Sequence, residues 1–240
     1  MVYRLVIESI QTLDQSVSLT PEQQHYLKRV LRLKNGDRFV AMDGQGKSYL
    51  AQLEEDSAKI LQNLKECTEL PLAITLMVAL PKGNGFEEIV RCCTELGITT
   101  LIPIISQRTL LKPSPHKLER WRKIATEAGE QSERQLIPTI VDPIVFNEAL
   151  RNIDKIPSDR YICVTRKKAH HLLTHLSETS QNPLVIATGC EGGWTPEEIE
   201  TAIAFGFQPV TLGPRILRAV TAPIVALSLA VSVIERDTIP

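Results

Sequence analysis

The residues best equipped for chemistry lie in two glycine-containing loops near the C-terminus. In the first, Val185-Ile186-Ala187 runs into Thr188-Gly189-Cys190-Glu191-Gly192-Gly193-Trp194 and then into Thr195-Pro196-Glu197-Glu198. This spells an apolar strand, a glycine turn and a helix start, with Thr195 as N-cap and Glu198 closing a capping box. Glycines let the main chain approach a ligand closely. Glu191, Glu197 and Glu198 crowd the helix start, which disfavours a phosphate there. A neutral or cationic ligand suits it better, for instance an adenosyl group beside a sulfonium; a tight turn without a ligand is the plain alternative. In the second loop a strand ends at Val210-Thr211-Leu212-Gly213, and Pro214-Arg215-Ile216-Leu217-Arg218 comes next. Arginine cannot serve as a base, but its forked donors suit a developing anion. Surface arginines at a loop tip are the alternative there.

Two other patterns carry less. Gly83-Asn84-Gly85 lies between a strand and a helix, but a dinucleotide fingerprint needs a third glycine where Glu88 stands. His170, His171 and His175 lack the glutamate of a zinc-binding H-E-x-x-H and neighbour Lys167 and Lys168, so a solvated helix face is expected and no metal. No nucleophile elbow of a hydrolase is present.

The elements that must position the two loops are readable from periodicity. Before Glu69-Leu70-Pro71, β-type runs (Tyr3 to Ile10, Asp37 to Met42, Ser48 to Leu53, Ala58 to Leu64) surround one helix, Pro21 to Leu33, capped by Thr20. They predict a small β-barrel over residues 1–70. From residue 71 to 240 strands and helices alternate. Strands are expected at Ile74 to Leu80, Thr100 to Ile105, Tyr161 to Val164, Leu184 to Ala187 and Pro209 to Leu212. Helices are expected at Phe86 to Leu96, Pro115 to Gln131, Lys168 to Ser177, Pro196 to Phe205 and Ala219 to Ile234, with one more short strand in Pro138 to Phe146. Continuous apolar strands of this kind predict an α/β fold with a mostly parallel sheet covered on both faces. The last helix is apolar nearly all round and must be buried, in the core or against a second subunit.

Composition sets outer limits. With 240 residues, 43% hydrophobic and 23% charged, the chain is long enough for a substantial core and excludes wholesale disorder. It has no apolar run long enough to span a bilayer and no secretion-signal layout at its start, so no membrane association and a cytoplasmic location are expected. A net charge of −1 leaves any nucleic-acid site to local basic patches. The five cysteines (Cys67, Cys92, Cys93, Cys163, Cys190) contain no C-x-x-C and read as reduced, mostly core thiols.

Taken together, the motifs resemble the SPOUT class of knotted, S-adenosyl-L-methionine-dependent RNA methyltransferases, and within it the ribosomal RNA small subunit methyltransferase E family. The family's G-P-E-G-G-[FW] stands as Gly189-Cys190-Glu191-Gly192-Gly193-Trp194, and its L-G-x-R-I-L-R as Leu212 to Arg218. Upstream, the family's stretch of a histidine followed by V-L-R is similar to His25 with Val30, Leu31 and Arg32; L-P-K-G is Leu80 to Gly83; T-E-L-G is Thr94 to Gly97. S-x-R-[ST] is Ser106 to Thr109, and E-Q-[CS]-x-R is Glu130 to Arg134. Three positions depart from the pattern: Cys190 replaces a proline, and Arg218-Ala219-Val220-Thr221 replaces R-T-E-T, so Ala219 stands for a threonine and Val220 stands where a glutamate is frequent.

The resemblance implies a C-terminal trefoil-knot methyltransferase domain preceded by a PUA-like RNA-binding barrel, acting as a homodimer on 16S rRNA of the small ribosomal subunit. The reaction implied is methylation of N3 of a uridine. It places the methyl donor against Thr188, Gly189, Glu191, Gly192, Gly193, Leu212, Gly213, Ile216 and Leu217. Removing the N3 proton spreads negative charge over the uracil carbonyls, so fixed cations and a proton acceptor are required. Arg218 and Arg215 are the expected anion stabilisers, with Arg134 from a neighbouring subunit as a further candidate, and Glu191 is the expected base. His25, Lys28, Arg29, Arg32, Lys82 and Arg108 are the expected RNA contacts; the stretch from 25 to 38 holds five Lys and Arg against one Asp. Lys117, Arg120, Arg122 and Lys123 form a second basic stretch. The alternatives are a knotted methyltransferase acting on another RNA and a ribosome-associated RNA-binding protein without catalysis.

Overall fold

Turn chemistry and alternating burial shape the N-terminal part of the chain. The computed structural model describes residues 2–8, 11–13, 15–65, 68–176 and 182–236. It divides into two units, residues 1–69 with 126–137, and residues 70–125 with 138–240. The sheet of the first unit contains β1 (Arg4–Val6), β2 (Thr12–Leu13), β3 (Ser16–Ser18), β4 (Arg38–Met42), β5 (Ser48–Leu53) and β6 (Ser57–Leu64). Its order is β1-β4-β5-β6-β3-β2, antiparallel except for β1 against β4, with a bulge at Leu50/Ala51. Among the described residues this path runs open from β1 to β2 rather than closing into a barrel. The strand expected from Tyr3 to Ile10 is realised at Arg4–Val6, and Ile10 lies outside the described residues, as does Cys67.

The helix expected over 21–33 divides. Thr20 and Gln23 form a capping box for α1 (Pro21–His25), and the chain then widens into a π-helical turn, Tyr26–Val30. Arg32 ends it in the left-handed region (φ 59). This departure from α geometry places Leu27, Leu31 and Leu33 against one core, which includes Leu5, Val17, Phe39 and Leu53, while Arg29 and Arg32 stay exposed.

Residues 126–137 extend the first unit beyond the boundary expected near residue 70. Arg134, buried, donates from Nη2 (2.6 Å) and Nε (3.1 Å) to Glu69 Oε2, while Glu69 Oε1 accepts from the main-chain N–H groups of Gln135 and Leu136.

The second unit is an α/β layer structure. Its strands are β7 (Ile74–Ala79), β8 (Thr100–Ile105), β9 (Thr139–Ile140), β10 (Ile144–Val145), β11 (Asp159–Cys163), β12 (His170–His171), β13 (Leu184–Thr188) and β14 (Gln208–Thr211). Every pairing is parallel, in the order β10-β8-β7-β13-β11-β14-β12, with β9 also on β8. Around it lie α2 (Gly85–Glu95), α3 (Pro115–Gln131, whose last six residues belong to the first unit), α4 (Phe146–Ile153), α5 (Leu172–Leu176), α6 (Pro196–Ala204) and α7 (Thr221–Glu235). Strand β14 is inserted between β11 and β12, which the 164–169 connection joins, and the chain leaving β14 continues into α7, which packs on α2, β7 and β13. That connectivity agrees with the knotted fold the resemblance implies.

Two segments differ from the expected periodicity. His170 and His171 pair with Val210 and Thr211 as an edge strand, so the helix expected from Lys168 begins only at Leu172; its expected end, Ser177, lies outside the described residues. Pro143 divides the strand expected over 138–146 into β9 and β10. Phe146 then opens α4, which buries Phe146, Ala149, Leu150 and Ile153 at helical spacing.

Glu130, in the first unit, accepts the Val6 N–H at 2.7 Å. Burial pushes its carboxyl from the ordinary 4.5 up to about 7, opposed by that hydrogen bond and reinforced by Glu127. Below the ordinary value the folded and unfolded states both hold the proton. Between there and about 7 only the unfolded chain releases it, so stability falls across this window as pH rises and then levels off. Glu130→Gln keeps the acceptor and removes the titration. Thermal unfolding should show the variant more stable than the parent at about pH 8, with that advantage vanishing at about pH 4.

Candidate active site

Strands β11, β13 and β14 are neighbours, and their carboxyl ends, at Cys163, Thr188 and Thr211, open on one side of the sheet. Ligands of parallel α/β sheets bind beyond such ends. Here they open into a cavity of about 720 Å³ lined by three turns, residues 163–167, 188–194 and 211–222, together with Arg108. That volume lies in the range of small-molecule and cofactor sites.

The glycine turn after β13 folds back on itself. A Cβ on Gly189 would stand 3.1 Å from Gly193 Cα and 3.3 Å from Trp194 N, and Gly193 has φ +66° with open space where a side chain would be. Trp194 stacks on Phe146 with ring centroids 4.6 Å apart. The capping box forms as expected: Thr195 Oγ1 accepts from Glu198 N, and Glu198 Oε2 accepts from Thr195 N at 2.9 Å. The other oxygen of Glu198, a buried side chain, accepts from Gln107 N at 2.8 Å. One carboxylate thus ties the start of α6 to the turn after β8. From that turn Arg108 donates through Nη1 to the carbonyls of Gly192 (2.6 Å) and Trp194 (3.4 Å), and its side-chain carbons fill the space a Cβ on Gly192 would need.

In the loop after β14, Gly213 has φ +113° and its N–H donates to Thr211 Oγ1. The N–H groups of Thr221 and Ala222 donate to the Arg218 carbonyl, fixing Arg218 at the foot of α7. Arg215 and Arg218 are exposed, as is Ile216, while Leu212 and Leu217 are half-buried. Val220 packs so closely over Gly85 that a Cβ there would lie 2.8 Å from its Cγ2. That contact explains a glycine in the half-matched G-x-G without any dinucleotide.

All the expected cofactor residues, with Arg215 and Arg218, therefore meet at one cavity. Glu191, the only carboxylate among the lining residues, accepts the Lys82 N–H with Oε1 at 3.0 Å. Arg108 stands at the cavity too, but its engagement with the glycine turn makes it a brace rather than the free RNA contact expected. Arg134 is not among the cavity's lining residues of its own chain; it lies in the first unit, where Glu69 holds it, and its expected role was in the site of a neighbouring subunit. His25, Arg29 and Arg32 lie exposed in the first unit, and Lys28 donates to the Glu55 carbonyl. Part of the second basic stretch is also engaged: Lys117 bonds Gly83 O and Asn84 Oδ1, Arg120 pairs with Glu87, and Arg122 with Asp142. Sequence reasoning missed Arg166 and Lys167. Their position just after the apolar run Tyr161 to Val164 was the available signal.

The cavity also shows what kind of group would fit it. Thr188 Oγ1, fully buried in its wall, has no hydrogen-bond partner among the described residues, and the open face of Gly193 leaves main chain accessible. A ligand rich in polar atoms along an apolar ring system satisfies both features. Among the described residues no three His, Cys, Asp or Glu side chains cluster as metal ligands, and no helix is long and apolar enough to cross a membrane.

Fold and site are those of an RNA methyltransferase: the family model for the RNA methyltransferase domain matches residues 68–231, and that for the RNA methyltransferase PUA domain matches 19–62. The chain belongs to the ribosomal RNA small subunit methyltransferase E family. It is 50% identical to the member from Synechocystis over 98% of its own length and 79% of the relative's, and 33% identical to that from Bacillus subtilis over 88% of both. The crystal structure of the Neisseria gonorrhoeae ribosomal RNA small subunit methyltransferase E bound to S-adenosyl methionine superposes with a TM-score of 0.85, at 32% identity, covering 95% of this chain and 96% of that one. A Legionella pneumophila methyltransferase in complex with the same cofactor gives 0.84 at 27% identity, covering 99% and 98%.

Glu198→Ala removes a capping box, strands the buried N–H group of Thr195 and takes the acceptor from Gln107 N–H. Chemical denaturation should register a loss of about 2–3 kcal/mol, far above the change expected for alanine at the exposed Glu200.

Proposed function

We propose that this protein uses S-adenosyl-L-methionine to methylate N3 of a uridine in 16S rRNA of the small ribosomal subunit, in the cytoplasm and as a homodimer. The observation that carries this reading is the meeting of the glycine turn 188–193 and the arginine loop 212–218 at one cavity, in a chain whose relatives bear the name of that enzyme. Bound there, the cofactor supplies an electrophilic methyl group on a sulfonium. The main chain of Thr188 to Gly193 and Leu212 to Leu217 holds it, with Thr188 Oγ1 as an unused polar partner and Leu212, Ile216 and Leu217 as apolar flanks.

The acceptor sets the remaining demands. Uracil N3 attacks only after losing its proton, and the charge then spreads to both carbonyl oxygens. Arg218 and Arg215, whose guanidinium groups have no ion-pair partner among the described residues, supply donors to that charge. Glu191 is the proton acceptor we assign: Lys82 N–H fixes one of its oxygens and leaves the other for the base. Val220 cannot take that role. A target nucleotide within folded rRNA must be unstacked to reach the cavity, and the basic turn carrying His25, Lys28, Arg29 and Arg32 in the PUA domain offers phosphate contacts that position the substrate. The half-buried apolar residues of α7, such as Val225, Leu229 and Val233, support a subunit interface.

Val220 at a position often held by glutamate favours a second reading, an RNA-binding protein without catalysis. Methyl-labelled cofactor and isolated small subunits separate the two, with nucleoside mass spectrometry identifying the product. The proposal predicts 3-methyluridine in 16S rRNA; cofactor binding with no label transferred would establish the second reading. Arg218→Ala should lower methyl transfer at least about a hundredfold, the scale of one lost oxyanion donor, while calorimetry finds cofactor affinity changed by less than about threefold. Equal turnover in the variant would remove Arg218 from the chemistry.

A further inference from the structure

The charge around the cavity exceeds what its proposed cofactor requires. Its lining includes Arg108, Arg166, Lys167, Arg215 and Arg218 against the single carboxylate of Glu191. Arg108 is spent on carbonyls, but Arg166, Lys167, Arg215 and Arg218 are exposed and form no ion pair among the described residues. S-adenosylmethionine carries a sulfonium and an ammonium against one carboxylate, a net positive charge. Cations gathered beside it repel it unless an anion arrives as well, and a uracil ring contributes one charge at most, transiently. A polyanion must account for the rest.

The 165–168 segment has the form of a docking arm. Thr165, Arg166, Lys167 and Lys168 are exposed in succession on the connection between β11 and β12. Arg166 is held at φ 58, a left-handed conformation that a non-glycine residue adopts only where its surroundings impose it. The connection is anchored at both ends by the sheet: Val164 N donates to Val210 O, and His170 and His171 pair with β14. A short cationic loop pinned on both sides, at the rim of a cavity that Arg215 and Arg218 border from the facing turn, can grip a strand without itself becoming ordered on binding.

We propose that Arg166, Lys167 and Lys168 form a phosphate-binding site for the RNA strand that carries the target nucleotide, engaging its phosphodiesters on one side while Arg215 and Arg218 face the base. This rests on the RNA methyltransferase reading of the cavity and adds to it a substrate subsite on the methyltransferase unit itself, separate from the PUA domain.

The test measures binding of a small-subunit rRNA fragment to the full-length protein across a salt series. Glycine adopts the backbone of residue 166 freely, so Arg166→Gly removes the charge without disturbing the loop. Each phosphate contact with a single strand contributes about 0.7 to the slope of log affinity against log salt. Arg166→Gly with Lys167→Ala should therefore flatten the slope by about 1.4 and weaken RNA binding at least about tenfold at physiological salt, while calorimetry finds the cofactor, relieved of two repelling charges, bound no more weakly than by the parent. Arg166→Lys should retain most of the parent slope. An unchanged slope and affinity in the double variant overturns the proposal. The functional reading would survive that result, since it fails instead if the parent protein binds no cofactor or transfers no methyl group to small subunits.

Discussion

The glycine turn after β13 is held open from outside, and the cavity depends on that restraint. Its main chain doubles back so tightly that Gly189 and Gly193 leave no room for a side chain between them, and a turn of this kind has few internal hydrogen bonds to define it. The restraint comes from the turn after β8. Through Gln107 N–H, that turn binds the buried carboxylate that also caps α6, and through Arg108 it binds the carbonyls on either side of Gly193. Carbonyls occupied on that flank leave the opposite face of Gly193 clear. The result is a main-chain surface that exists before any ligand arrives, which spares binding the cost of ordering a loop.

The same economy governs charge. Elsewhere in the second unit several arginines are neutralised by partners: Arg91 lies between Glu88 and Glu95, and Arg120 pairs with Glu87. Around the cavity, among the described residues, they are not. Unpaired guanidinium groups at the ends of parallel strands raise the local potential at the cavity, which is what the proposed reaction on RNA requires. A net charge of −1 over the whole chain hides this concentration completely.

The parallel sheet was legible because its strands, buried on both faces, are continuous apolar runs such as Ile74 to Ala79 and Leu184 to Thr188. Both site loops were legible because glycine, proline and capping residues punctuate them. Features that depend on partners distant along the chain were not. Arg134 matches a family motif, yet Glu69, which holds it, is remote in sequence, and nothing local announces that contact. Residues 170 and 171 look helical until β14 is available to pair with them. The π-helical turn at Tyr26–Val30 serves a core assembled from several strands, a constraint invisible to local periodicity. Helix α4 was readable from Phe146, Ala149, Leu150 and Ile153, but Asp142-Pro143 draws attention to the break and away from the helix beyond it. The insertion of β14 between two strands adjacent in sequence obeys no local rule; its expectation came from the family resemblance.

A crystal structure with the spent cofactor, S-adenosylhomocysteine, would decide whether the two turns form the donor site. The ligand should lodge between the main chain of Thr188 to Gly193 and that of Leu212 to Leu217, with Thr188 Oγ1 newly hydrogen-bonded and Arg215 and Arg218 free to face a base. Density for the ligand elsewhere, with both turns unaltered and the Thr188 hydroxyl still without a partner, would contradict that assignment.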